Sequence, residues 1–144
     1  MTETQNYRNH VRYYPLVHYF LTPILLFNFI WQAARLYQEP SWDRAEMLLL
    51  AVGLIVLSLA ARLQALKAQD RVIRLEESLR YQRLLPGELA ARISDLPFGN
   101  IAALRFAPDE ELPDLARRTV NNEFQNSKEI KLAIKNWRGD YFRV

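Results

Sequence analysis

The chain has no cysteine, only four glycines and only two histidines in 144 residues. The absence of cysteine excludes disulfides, thiol nucleophiles, iron–sulfur clusters and cysteine-based zinc sites. His10 and His18 form no H-x-x-x-H pair and have no carboxylate at ligand spacing, so no metal site is expected. A glycine-rich phosphate loop, a G-x-S-x-G elbow and paired carboxylates in the apolar segments are all missing. The reading is therefore of a chain that is not an enzyme, with no catalytic residue, cofactor or small-molecule substrate predicted.

The most informative absence is of charge. Between Arg12 and Arg35 the twenty-two residues Tyr13 to Ala34 carry no formal charge. At ~1.5 Å per residue that run spans ~33 Å as a helix, enough to cross a hydrocarbon core of ~30 Å. A second run, Met47 to Ala61, is shorter and extends through Arg62 to Leu66, with the Arg62 head free to snorkel toward an interface. The mean hydropathy of -0.18 hides this segregation, because the residues after 66 are charged and amphipathic.

The first span opens near Pro15, and Pro23 predicts a kink within it. Its apolar stretch lacks an A-x-A-like site, so it reads as an uncleaved span. Aromatic residues gather at both ends: Tyr13, Tyr14, Tyr19 and Phe20 at one, Trp31, Tyr37 and Trp42 at the other. Rings in two belts are what two headgroup layers select. The interfacial anchors are read as Arg8, Arg12, Tyr13, Tyr14, Trp31, Trp42 and Arg62. The segment Gln5 to Pro15 fits such an anchor, or a recognition segment folding over the helical stalk expected after residue 66 or over a partner.

Charge asymmetry orients the spans. The connector and its edge hold two basic residues, Arg35 and Arg44, whereas eight flank the other side: Arg8, Arg12, Arg62, Lys67, Arg71, Arg74, Arg80 and Arg83. The positive-inside rule then puts both termini in the cytoplasm. Basic residues that flank apolar runs meet headgroups, so nucleic acid is not an expected partner despite a pI near 9.3. The connector's Glu39-Pro40-Ser41-Trp42 is a turn signal, with Ser41 as N-cap of the second helix.

No strong breaker interrupts residues 45–85, and Pro86-Gly87 then supplies a stop, so one continuous helix is expected. A stripe at alternating spacings of three and four runs along it: Ala51, Leu54, Ser58, Ala61, Ala65, Ala68, Val72, Leu75, Leu79. That is supercoil spacing, rich in small residues that let backbones approach. On the first span His18, Leu21, Leu25, Asn28, Gln32 and Arg35 form a matching, mostly polar stripe that should avoid lipid. The two stripes form either the seam of a hairpin or a surface for assembly. The distal part, Val72, Leu75 and Leu79, needs a cover of its own: the C-terminal module, a second copy or a partner.

From Glu88 onward short helices are expected over 88–93, 101–106 and 109–120, with a last one capped by Asn126 or Ser127 and Glu129 in capping-box spacing. The candidate core is Leu89, Ile93, Ile101, Leu104, Phe106, Leu112, Leu115, Ile130, Ile134 and Trp137. Arg138-Gly139-Asp140 reads as a turn closing the last helix. The fold class is thus all-α: a two-helix transmembrane hairpin whose second helix extends as a cytoplasmic stalk into a small helical module. The divisions are 1–12, a cytoplasmic N-terminal segment; 13–66, the hairpin, with spans of about 13–35 and 46–66; 67–85, the stalk; and 86–144, the module.

Four segments, QNYRNHVRYYP (5–15), QDRVIRLEESLRY (69–81), FGNIAALRFAPDEEL (98–112) and IKLAIKNWRGDYFRV (130–144), together resemble a family of small bacterial two-span membrane proteins, a domain of unknown function. The resemblance covers nearly the whole chain. It implies a bacterial inner-membrane protein with a cytoplasmic helical tail and supplies no activity or cofactor. The expected role is a non-enzymatic membrane scaffold or accessory subunit. It would act on the bilayer and on other membrane proteins or copies of itself, through the helix seam of His18, Asn28, Gln32, Ser58, Ala61, Ala65, Ala68, Val72, Leu75 and Leu79. Two alternatives remain open: a redox- or proton-linked subunit with a haem or quinone contact at His18, and a lipid-binding regulator using the stalk's basic residues.

Overall fold

The computed structural model describes residues 6–7 and 14–140, and every regular element in them is helical. The elements are α1 (Leu16–Gln38), α2 (Trp42–Leu84), α3 (Gly87–Ser94), α4 (Phe98–Leu104), α5 (Leu112–Val120) and α6 (Ser127–Ala133). They divide between two compact units, one of Tyr13–Lys67 and one that holds the residues from Ala68 onward.

In the first unit, α1 begins with a π-helical stretch, Leu16–Leu21, and becomes α-helical at Thr22. Pro23 explains the switch. Its nitrogen has no hydrogen to donate and its ring crowds the carbonyl one turn back, so the wider turn lies just before it. The Thr22 N–H and Oγ1 both donate to the Val17 carbonyl, the latter at 2.8 Å. Pro23 thus marks a change of helix type near the start of α1. α2 starts where its cap predicts: the Ser41 hydroxyl accepts the Arg44 N–H at 3.3 Å, and the Ser41 carbonyl takes the Ala45 N–H. The Arg44 guanidinium reaches back to the carbonyls of Arg35 and Glu39 at 3.1 and 2.8 Å and pairs with the Glu39 carboxylate. A cation there satisfies the orphan carbonyls at the end of α1 and complements its dipole.

In the second unit α3–α6 close around a core that includes Ile93, Ile101, Leu104, Phe106, Leu112 and Ile130, with Tyr81 from the last turn of α2 and Leu85 just beyond it packed in. The last turns of α2 are therefore part of this core. α5 starts at Leu112, later than the acidic run 109–111 suggests, because Pro113 sits in its first turn. It ends at Val120 with Asn121 as its cap; the next residue, Asn122, adopts φ 59, and the Glu123 N–H returns to the Arg118 carbonyl. Asparagine tolerates that left-handed position better than most residues. Asn126 caps α6 by accepting the N–H groups of Lys128 and Glu129 at 3.0 and 3.1 Å. Glu129 accepts the Gln125 N–H at 2.7 Å, one residue before the partner a capping box would give it.

α6 stops at Ala133, short of the expected turn through Trp137. The reason lies 24 residues upstream. The Glu111 carboxylate accepts the N–H groups of Lys135 and Asn136 at 2.9 and 3.0 Å, and the Asn136 side-chain amide at 2.8 Å. Those donors are withdrawn from the helix, and Ile134 becomes extended while staying buried. Beyond it the Arg138 N–H donates to the Phe106 carbonyl at 2.8 Å, so 138–140 runs alongside α4's exit and does not close a helical turn.

Candidate interaction surface

The C-terminal part of α2 buries one face within its unit and leaves another open. Ile73, Glu77, Arg80 and Tyr81 are buried, at spacings of four, three and one. Val72, Leu75 and Leu79 are 53%, 62% and 60% exposed. The helical module therefore covers the face centred on Glu77 and Arg80 and leaves the apolar stripe uncovered.

Arg80 organises the buried face. Its Nε donates to Asp109 Oδ1 at 2.8 Å, Nη2 to the Ala107 carbonyl at 2.7 Å, and Nη1 to Glu77 Oε2 at 3.2 Å. One planar guanidinium thus ties two helical turns of α2 to the loop before α5, a task its rigid fork suits. Burial pushes the Glu77 carboxyl above its usual range, against the pull of Arg80 and Arg138. The Arg80 hydrogen bond holds Asp109 below its own usual range. Tyr81, one residue on, is buried with its phenol pushed up by desolvation and by the Glu77 charge.

Beside this node a cleft of about 550 Å³ is lined by four arginines (80, 83, 105 and 138) and by Glu76, Glu77 and Asp140, among others. Most of its charges are already engaged: Arg80 as above, Arg105 with Asp140 at 3.3 Å, and Arg138 with Glu77 at 3.7 Å. The Arg105 guanidinium also stacks 4.5 Å above the Phe106 ring, which is flanked as well by Trp137 at 4.8 Å between centroids and by the Lys131 ammonium at 5.8 Å. Among the described residues, no three His, Asp or Glu side chains converge as a metal-ligand set.

In the unit of the apolar helices, the half-buried positions of α1 include His18, Leu25, Asn28 and Gln32 of the expected stripe, together with Val17, Phe29, Ala33 and Leu36. The Gln32 amide donates to Asn28 Oδ1 at 3.4 Å, so two of the polar residues of this stripe satisfy each other. His18 Nδ1 lies 2.9 Å from the Tyr14 carbonyl and 3.2 Å from its N–H, accepting or donating according to tautomer. On α2 the covered positions of this unit include Leu48, Ala51, Ile55, Ser58 and Arg62, with Ala51 at 1% exposure. Ala61 and Ala65 are exposed here, as is Ala68 in the other unit. Tyr14, Trp31 and Trp42 stand exposed, Trp31 stacked on Phe27 at 6.2 Å. Arg8, Arg12 and Tyr13 lie outside the described residues.

The chain-wide model of a family of unknown function, DUF6526, matches residues 1–144. No curated protein and no solved structure matches the chain.

Proposed function

The chain belongs to this family of unknown function, and on that premise we propose that it is a non-enzymatic integral membrane scaffold or accessory subunit of the bacterial inner membrane, with both termini in the cytoplasm. One observation carries the reading. α1 and α2 are long and apolar enough to cross a bilayer, and their most apolar windows are 0% and 6% buried by the rest of the chain. A core helix of a water-soluble domain hides such a surface, whereas here Phe27, Ile30, Leu49, Leu57 and Leu59 are all at least 60% exposed. Lipid is the solvent in which that surface costs nothing.

The connector supports a hairpin. Arg44 joins the end of α1 to the start of α2, and the half-buried positions of both helices recur at helical spacing, as two packed spans require. The eight-to-two distribution of basic residues supports the orientation. Carbonate-washed membranes and reporter fusions test both parts. The protein is expected in the membrane pellet, with reporters at residue 144 and within 38–43 in opposite compartments. Release by carbonate sinks the membrane assignment, and a periplasmic C-terminus sinks the orientation.

A further inference from the structure

Positions 72, 75 and 79 belong to a strict heptad. Taking Val72 as a, the a positions are Ala51, Ser58, Ala65, Val72 and Leu79, and the d positions Leu54, Ala61, Ala68 and Leu75. In the stalk the a/d face is exposed, while the module covers Ile73, Glu77, Arg80 and Tyr81. At about 100° per residue the centres of these two faces lie roughly 150° apart around the helix, so covering one leaves the other open, with Leu79 and Glu76 at the edge of the cleft that Arg105 and Arg138 also line. We infer that the open face is the seam of a parallel, in-register coiled coil between two copies of this chain. The inference deepens the membrane-scaffold reading by naming the partner, and rests on it for the direction of pairing.

Charge placement selects the occupant. Residues flanking a coiled-coil seam at g on one helix meet e of the next heptad on a parallel partner, five positions further on. Here g is Arg71 and that e is Glu76, so each copy's Arg71 meets the partner's Glu76, twice per dimer. Both residues are exposed, and neither makes an ion pair with the described residues of its own chain. The preceding g and e positions, Gln64 and Gln69, form a neutral polar pair in the same register. In an antiparallel pair g faces g, and the g positions Gln64, Arg71 and Ser78 offer Arg71 no acid. Two copies threaded through one membrane in the same direction also present their stalks in parallel. Val72 at a with Leu75 at d is the combination that favours two strands.

The natural absence of cysteine makes the test direct. Single substitutions Val72→Cys, Leu75→Cys and Leu79→Cys in the full-length protein, oxidised in native membranes, should give disulfide-linked homodimer. Its yield should be several-fold above that from Lys67→Cys, Asp70→Cys and Arg74→Cys, which point away from the seam. Arg71→Glu and Glu76→Arg should each lower the cross-linking of Leu75→Cys, and the double exchange should restore it. Equal yields around the helix, or none at the three seam positions, would overturn the pairing. Carbonate extraction of the same membranes separates the two readings. A chain retained in the pellet without seam cross-links refutes the dimer and leaves the membrane assignment intact. A chain released from the pellet with seam cross-links refutes the membrane assignment and upholds the dimer.

Discussion

Arg80 and Asp109 stand 29 residues apart in sequence, yet a guanidinium nitrogen of the first lies 2.6 Å from a carboxylate oxygen of the second. The pair fastens the end of α2 to the loop that leads into α5. Arg80 is buried, and its other contacts are the Ala107 carbonyl and the buried Glu77. Removing Arg80 therefore strands a second charge as well as breaking a tether.

Arg80→Ala should destabilise the unit that holds the residues from Ala68 onward by about 3–5 kcal/mol, the range for a buried ion pair that loses one partner. Asp109→Asn should cost under about 1 kcal/mol, because Asp109 is half exposed and water screens its interaction. Urea denaturation of a soluble fragment spanning 67–144 reads both. Equal losses for the two variants would show that Glu77 does not depend on Arg80.

Acid should unfold this unit. Asp109 and Glu111 are held below their ordinary values of 3.8 and 4.5. For Asp109 the Arg80 hydrogen bond leads. For Glu111 desolvation pulls upward and is outweighed by the N–H donors of Lys135 and Asn136 with the Asn136 side chain. A depressed folded pKa gives stability that is present above the unfolded value and lost as pH falls through the folded one. The loss should thus begin near pH 4 and grow below it. Glu77 works in the opposite sense: burial raises its pKa from 4.5, so its contribution is full below that value and is lost as pH rises. Urea midpoints against pH should fall more steeply in acid for Glu77→Gln and less steeply for Asp109→Asn.

Glu111→Ala should release the Lys135 and Asn136 N–H groups. The side chain is partly solvated, so a cost of about 1 kcal/mol is expected. Hydrogen exchange at those two amides should quicken while exchange within α5 is unchanged. Continued protection would mean that another acceptor holds the segment.

How far these contacts were legible in the sequence depends on their range. The long helix is legible because nothing between residues 45 and 85 can break it, and the structure extends it only to Trp42. The caps at Ser41 and Asn126 are legible because each partner lies within three residues. Glu111's hold on Lys135 is not, since no local pattern points 24 residues ahead. Nor is the covered face of the stalk. Apolar periodicity selects Val72, Leu75 and Leu79, and the module instead covers a face whose centre is Glu77 and Arg80. Those charges look solvated until Asp109 and the Ala107 carbonyl arrive to satisfy them. The only local hint is the Glu77–Arg80 spacing of three, which any exposed helix could also show.

The dependence of the module on the stalk can be tested through Tyr81. Its ring is 1% exposed and belongs to the core, but its hydroxyl has no hydrogen-bond partner among the described residues. Ring and hydroxyl should therefore act with opposite signs. Tyr81→Ala should cost about 3–5 kcal/mol, as for other large buried rings. Tyr81→Phe should be neutral or stabilise by about 1 kcal/mol, because it deletes an unsatisfied buried oxygen. A fragment beginning at Pro86 lacks the ring, Leu85 and Arg80 together. Losses of that size approach the whole margin of a small domain, so this fragment should melt without cooperativity while one beginning at Lys67 melts sharply. A cooperative melt from the Pro86 fragment would show that α3–α6 form a complete core, with the stalk only resting against it.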